Sequence, residues 1–265
     1  MAGPTTAERD ARPQSASGRP PRGPLARLLR LRLPKRWLMI VLIVATVLVA
    51  GGTWVLYGSN WLRVERVSTS GTGVLTRAQV ETAAAVPVGA PLISVDTDGI
   101  EARLRQKLPR IDSVEVVRSW PHGISLKVIE RTPALLIETG AKFIEVDVKG
   151  VRFATVGTAP AGVPLLKMTA AQSAGLGRFG TGRLVLEAVR VRRELPAKVA
   201  KDTRVIRVRS YDSIALQLSG GRTVMWGSGE DGAAKARALT ALMKAAPKAG
   251  YFDVSAPTAP AASGS

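Results

Sequence analysis

Cysteine is absent from this chain of 265 residues. That excludes disulfide frameworks, iron–sulfur clusters, thiolate zinc sites and cysteine nucleophiles together. A single histidine, His122, leaves no multi-histidine metal site. Acidic residues are scarce, 20 against 38 basic ones, and the formal net charge is +18. An excess of that size points to nucleic acid, an anionic membrane or another polyanion, and its distribution along the chain decides among them. The usual catalytic signatures are missing. There is no Ser-x-x-Lys, Lys-Thr-Gly or Gly-x-Ser-x-Gly, so penicillin-binding and hydrolase-elbow chemistry has no nucleophile. Gly71-x-Gly73 and Gly175-x-Gly177 lack the strand–turn–helix setting of a phosphate loop. The nearest pair of carboxylates is Glu145 and Asp147. Two residues apart on one expected strand, they point the same way rather than flanking a scissile bond, and they read as an exposed hairpin face. His122, in a Pro-His-Gly turn, has no acid or nucleophile to work with. No catalytic residue, metal ligand or cofactor is expected.

Charge is also missing from Trp37 to Leu62. Residues 38–57 form an apolar run broken only by two threonines and two glycines. At about 1.5 Å per residue a helix of this length spans the roughly 30 Å hydrocarbon core of a bilayer. Trp37 and Leu38 stand at one end, and Trp54 and Tyr57 at the other, where amphipathic rings favour the headgroup level. The run begins too late and is too long for a cleaved signal peptide. Residues 1–36 carry nine basic side chains against Glu8 and Asp10, a net of +7, with Arg27, Arg30, Arg32, Lys35 and Arg36 next to the span. The positive-inside rule places that segment in the cytoplasm and residues 58–265 outside. A basic, Pro/Gly/Ser-rich segment of this kind is expected to be disordered and drawn to anionic lipid. No nucleic-acid partner is expected for a chain so placed.

Beyond the span the pattern is that of an α+β protein. A strand over residues 62–70 leads to Thr76-Arg-Ala-Gln79, a capping-box signature that opens a short helix. Ile100, Leu104 and Leu108 recur at helical spacing from a start at Asp98, with Glu101 closing a cap there, and Pro109 ends that helix. Strands over 111–120 and 124–130 follow, with Val114, Val116 and Trp120 expected on one buried face. After Thr132-Pro133 come hairpins over 135–138, 142–147 and 151–156, a helix over 182–195, and strands over 205–209, 214–218 and 223–226. Leu239, Leu242 and Met243 mark a last helix, and residues 251–255 a last strand.

The order of the motifs is more specific than any one of them. Leu62-Arg-Val-Glu-Arg-Val-Ser-Thr-Ser-Gly71, Gly89-Ala-Pro-Leu92, Leu108-Pro-Arg-Ile111, Val114 to Pro121 and Val128-Ile-Glu-Arg-Thr-Pro-Ala134 follow a basic tail and one span. Glu145-Val-Asp147, Val163-Pro-Leu-Leu166, Met225-Trp-Gly227, Lys235 and Tyr251-Phe-Asp-Val-Ser255 come after them. In this the chain resembles the FtsQ/DivIB family of bacterial cell division proteins. Composition marks a disordered tail (1–36), a transmembrane helix (37–58) and a second disordered tail (256–265), and the resemblance implies a POTRA-like β-α-α-β-β domain (59–132) and a larger mixed β-rich domain (133–255) between them. It implies a non-enzymatic scaffold at the division septum that binds FtsB/DivIC-like and FtsL-like membrane proteins and helps control septal peptidoglycan synthesis. A membrane-anchored wall-modifying enzyme and a POTRA-type chaperone of exported chains are the alternative readings. Family members from two-membrane bacteria continue into a further strand that pairs with FtsB. Here residues 256–265 are Ala/Pro/Ser-rich, so that edge is not carried over. The expected docking edge is instead the final strand and its neighbour: Thr223, Val224, Met225, Trp226, Tyr251, Phe252, Asp253 and Val254. An unpaired sheet edge offers backbone donors and acceptors, and aromatics favour interfaces.

Overall fold

The computed structural model describes residues 34–168 and 174–264, so the expected basic tail lies almost wholly outside the described residues. The chain divides into two compact units between Trp54 and Val55. Helix α1, Lys35–Tyr57, is long and apolar enough to cross a membrane and has no buried residue. Its two threonines donate their hydroxyls to the carbonyls of Leu42 and Val49 one turn back, at 2.8 and 2.7 Å. Each hydroxyl is therefore already hydrogen-bonded within the helix, as an apolar surrounding requires. Trp37, Leu38, Trp54 and Tyr57 all face outward from it.

The first folded part runs β1 (Arg66–Ser70), α2 (Arg77–Ala84), α3 (Thr97–Lys107), β2 (Ile111–Ser119) and β3 (Gly123–Glu130). Its sheet has the order β1-β3-β2, with β1 parallel and β2 antiparallel to the central strand. The capping box at Thr76 and Gln79 forms in both directions, which fixes the start of α2. Helix α3 is capped by Asp96, whose carboxylate accepts the Gly99 amide at 2.9 Å, and not by Asp98 as the sequence reading had it. Asp96 alone keeps extended backbone, and Asp98 becomes a first-turn acid that suits the helix dipole. Leu104, Ile100, Val114, Val116 and Leu126 form the core. Trp120 does not join it. Strand β2 ends at Ser119, so the ring lies in the turn and is 50% exposed.

A carboxylate ties the loop before α2 to this sheet. Glu130 accepts the backbone amides of Gly73 at 2.7 Å, Val74 at 3.1 Å and Leu75 at 3.0 Å. Burial pushes its carboxyl up, but the three amides and the charge of Arg110 outweigh that and hold it below its ordinary value of 4.5. A carboxyl depressed in the folded state stabilises above its ordinary value, and that contribution is lost as pH falls through the folded value. Thermal unfolding of the full chain is expected to show a midpoint that drops on acidification below about pH 4.5. Glu130→Gln should lower the midpoint at pH 7 and flatten this acid limb. An acid limb of unchanged slope in the variant would count against the role of Glu130.

The second part contains β4 (Leu135–Thr139), β5 (Lys142–Val146), β6 (Arg152–Val156), β7 (Leu165–Met168), α4 (Ala174–Glu194), α5 (Ala197–Asp202), β8 (Thr203–Ser210), β9 (Ser213–Leu218), β10 (Thr223–Gly227), α6 (Gly232–Ala245), β11 (Tyr251–Asp253) and β12 (Ala261–Ser263). One nine-stranded sheet runs in the order β12-β11-β10-β9-β8-β7-β4-β5-β6. Parallel pairs β7–β8 and β10–β11 flank the helical crossovers. Leu184, Ala188 and Val191 of α4 and Leu239 of α6 join the core formed by Ile206, Val208, Leu216, Val224, Trp226 and Phe252. The backbone is not helical at Gly180, so the stretch of α4 that carries this stripe starts about where the sequence placed it.

Two expectations change here. The segment 256–265 holds a strand: β12 pairs antiparallel with β11, Tyr251 opposite Ser263, Phe252 opposite Ala262 and Asp253 opposite Ala261. Its small side chains show no alternation to read, and tertiary pairing makes the strand. Glu145 and Asp147 are not an exposed hairpin face, each being only 3% exposed. They do point the same way, toward the first folded part. Arg110, which precedes β2, donates to Glu145 at 2.5 Å and lies over the Phe153 ring. Arg131, just after β3, pairs with Asp147 and, at 3.1 Å, with Asp112. The second oxygen of Asp147 accepts the amides of Lys149 and Val151, which closes the β5–β6 turn. Lys149 reaches back to Asp112 at 2.6 Å, and that hydrogen bond is the main reason the Asp112 carboxyl lies below its ordinary value. The Thr132-Pro133 connection is thus flanked by charge pairs, most of them withdrawn from water.

Candidate interaction edge

A sheet offers two kinds of surface, its faces and its edges. The expected docking residues divide between the two faces by strand alternation. Val224, Trp226, Phe252 and Val254 are fully buried and belong to the core beneath the helices. Thr223, Met225, Tyr251 and Asp253 lie on the opposite face, paired as Thr223–Tyr251 and Met225–Asp253 across the parallel β10–β11 ladder. Tyr251 is 36% exposed. Burial, and after it the neighbouring Asp253, raise its phenol above the ordinary value. Asp253 itself accepts the amide and hydroxyl of Ser255 at 2.9 and 2.7 Å.

None of these residues is at the sheet edge. The amide of Val254 donates to the Met225 carbonyl at 2.9 Å, and β11 is covered on its other side by β12. The terminal strands of the sheet are β12 and β6. Strand β6 carries Arg152, and its pairing with β5 is irregular, both of which blunt an edge. Strand β12 reads Ala261-Ala262-Ser263, without charge or proline inside it. Its three-residue length is its one protection, for it carries no charge, proline or irregular pairing. Sequence reasoning missed it because Pro257 and Pro260 precede it and its own residues are weak strand formers.

Beside this edge lies a groove of about 540 Å³ between α6 and the chain that leads into β12. Ala234, Ala238, Ala241 and Leu242 form its floor, Arg237 stands in its wall, and Pro257 and Pro260 close the far side. The start of α6 is held by Lys235, a buried side chain that donates to the Ser228 carbonyl at 2.9 Å. Burial lowers the pKa of this amine, against the charges of Asp231, Glu230 and Glu194, which raise it. Gly227, at φ +79, lets the chain leave β10 where an added Cβ would come within 2.9 Å of Ser255. These contacts set α6, β11 and the segment before β12 against one another. The result is a free backbone edge with an apolar groove alongside it.

Residues 62–131 match the family model described as "POTRA domain, FtsQ-type". The chain is similar to the cell division protein FtsQ of Streptomyces coelicolor, at 65% identity over 100% of both chains. It is 62% identical to the cell division protein FtsQ of Streptomyces venezuelae, over 100% of this chain and 99% of that one. Among solved structures, the major extracytoplasmic domain of the trans isomer of the cell division protein DivIB from Geobacillus stearothermophilus is similar over 44% of this chain and 93% of its own, at 20% identity and a TM-score of 0.32.

Proposed function

The chain belongs to the FtsQ family of bacterial cell division proteins, and from that premise we propose that it is a septal scaffold that performs no chemistry of its own. Its N-terminal segment lies in the cytoplasm and both folded parts lie outside, an orientation supported by the arginines before α1. The folded parts receive FtsB/DivIC-like and FtsL-like membrane proteins and help assemble and control septal peptidoglycan synthesis. The observation that carries the partner site is the short, uncharged edge of β12 next to the groove on α6. An extended partner segment adds a strand to β12, its backbone supplying affinity. Apolar side chains flanking that segment enter the groove.

Two outcomes separate this reading from docking on β11. The full chain co-expressed with an FtsB/DivIC-like partner is expected to co-purify with it in mild detergent. A chain ending at Pro260, which lacks β12, should lose the partner while keeping its thermal transition. Retained or strengthened capture by the shortened chain would mean that the newly exposed β11 is the docking strand. Val254→Pro does not test this, because the Val254 amide already bonds within the sheet.

A further inference from the structure

Helices pack on one face of the nine-stranded sheet. On the other face, along β7, β8 and β9, the outward side chains include Lys167, Arg207, Arg209 and Ser213. Lys167 is the direct neighbour of Arg207 across the parallel β7–β8 ladder. Arg209 follows two residues on along β8, roughly 7 Å further by strand geometry. Among the described residues none of these three cations takes part in an ion pair or a side-chain hydrogen bond. Arg207 is nevertheless half-buried, so part of its hydration is lost without a compensating anion. Between the arginines and Thr223, Met225 and Tyr251 lies a cavity of about 180 Å³. Three acids border the face: Asp253 is bonded to Ser255 and Tyr251, Asp212 in the β8–β9 turn accepts from Ser210, and Glu138 of β4 follows the register that sets Ile137 beside Leu166.

We propose that this face holds an extended anionic polymer of phosphodiester repeats. The occupant follows from what the face offers. Strands β7, β8 and β9 are each paired on both sides, so no backbone is free for an added peptide strand. The cavity is smaller than the roughly 300 Å³ at which pockets begin to enclose a small molecule. What remains is a row of guanidinium and ammonium groups with hydroxyls from Ser213 and Thr223, the donor set that binds phosphate along a chain. Cations strung across two strands fit a ligand that tracks the surface better than a single lipid headgroup.

The test uses the full chain in nanodiscs of zwitterionic lipid and, as probe, a fluorescent synthetic poly(glycerol phosphate). Binding is expected, and it should weaken at least tenfold in Arg207→Gln/Arg209→Gln. The slope of log affinity against log salt should fall by roughly one to two, the number of phosphate contacts removed. Lys198→Gln/Lys201→Gln removes the same charge from the exposed surface of α5 and should change affinity less than twofold. Equal losses in the two double variants would show a general charge effect and overturn the site. So would the absence of any polymer binding. Equal capture of poly-glutamate would assign the face to acidic protein segments. Arginine-dependent binding confined to phosphatidylglycerol vesicles would assign it to lipid. Either result overturns the proposal. Neither arginine has a side-chain partner to lose, so the thermal midpoint of the variant should match the parent.

Discussion

Glu145→Gln is expected to destabilise the folded region by about 3 kcal/mol and to split its unfolding into two transitions. The first effect follows from the pair with Arg110, whose side chain is 13% exposed against 4% for Glu145. Removing one partner of a buried pair leaves the other charge desolvated, which typically costs 3–5 kcal/mol. The lower end applies because Arg110 also feels the charge of Glu130. The second effect follows from where the pair lies. It joins the first folded part to the hairpin of the second, and with Arg131–Asp147 it brackets Thr132-Pro133. When these bridges hold, the two cores unfold together. When they fail, each core melts by itself. Calorimetry of the full chain reads both effects. Trypsin provides an independent measure, since cleavage after Arg131 should be faster in the variant. A single transition at an unchanged midpoint would refute the coupling. Replacing both partners by apolar residues should restore much of the stability, because no charge is then stranded.

Gly71→Ala is expected to cost about 2–5 kcal/mol, more than any surface substitution nearby. Gly71 sits at φ +80 just after β1. A side chain there adds left-handed strain of about 1–2 kcal/mol. Its Cβ would also fall 2.0 Å from the carbonyl oxygen of Val128, a backbone atom of the central strand that cannot swing aside. Overpacking of this kind adds roughly 1–3 kcal/mol. Gly73→Ala is the matched control. It lies two residues away, with open space around its would-be Cβ and no positive φ, and its amide bond to Glu130 survives the change. Denaturant unfolding of both variants should show a large loss for the first and a change within about 0.5 kcal/mol for the second. Similar losses in the two would show that loop flexibility, not the contact with Val128, is what glycine supplies at residue 71.

Local rules reached as far as local physics does. The capping box at Thr76 and Gln79 needs only four consecutive residues and was legible. So was α1, where length and apolarity decide together. Leu104 was placed in the core by helical periodicity and is fully buried. Trp120 was misplaced because alternation does not reveal where a strand stops. Glu145 and Asp147 were read from their own strand, which shows their common direction. Only the folded chain brings Arg110 and Arg131, 35 and 16 residues away, to meet them.

The sequence by itself determined the apolar helix long enough to cross a membrane, the α+β order of elements, the family and the absence of the familiar catalytic motifs. Each depends on composition, spacing or a motif that neighbouring residues carry together. The tertiary structure decided which strand ends the sheet, which half of the expected docking residues is buried, and how the two folded parts are joined. Strand pairing and ion pairing over long separations draw little on the identity of the residues between them. Three small residues become a strand in β12 because β11 presents an open ladder, and two acids become buried because two arginines arrive opposite them.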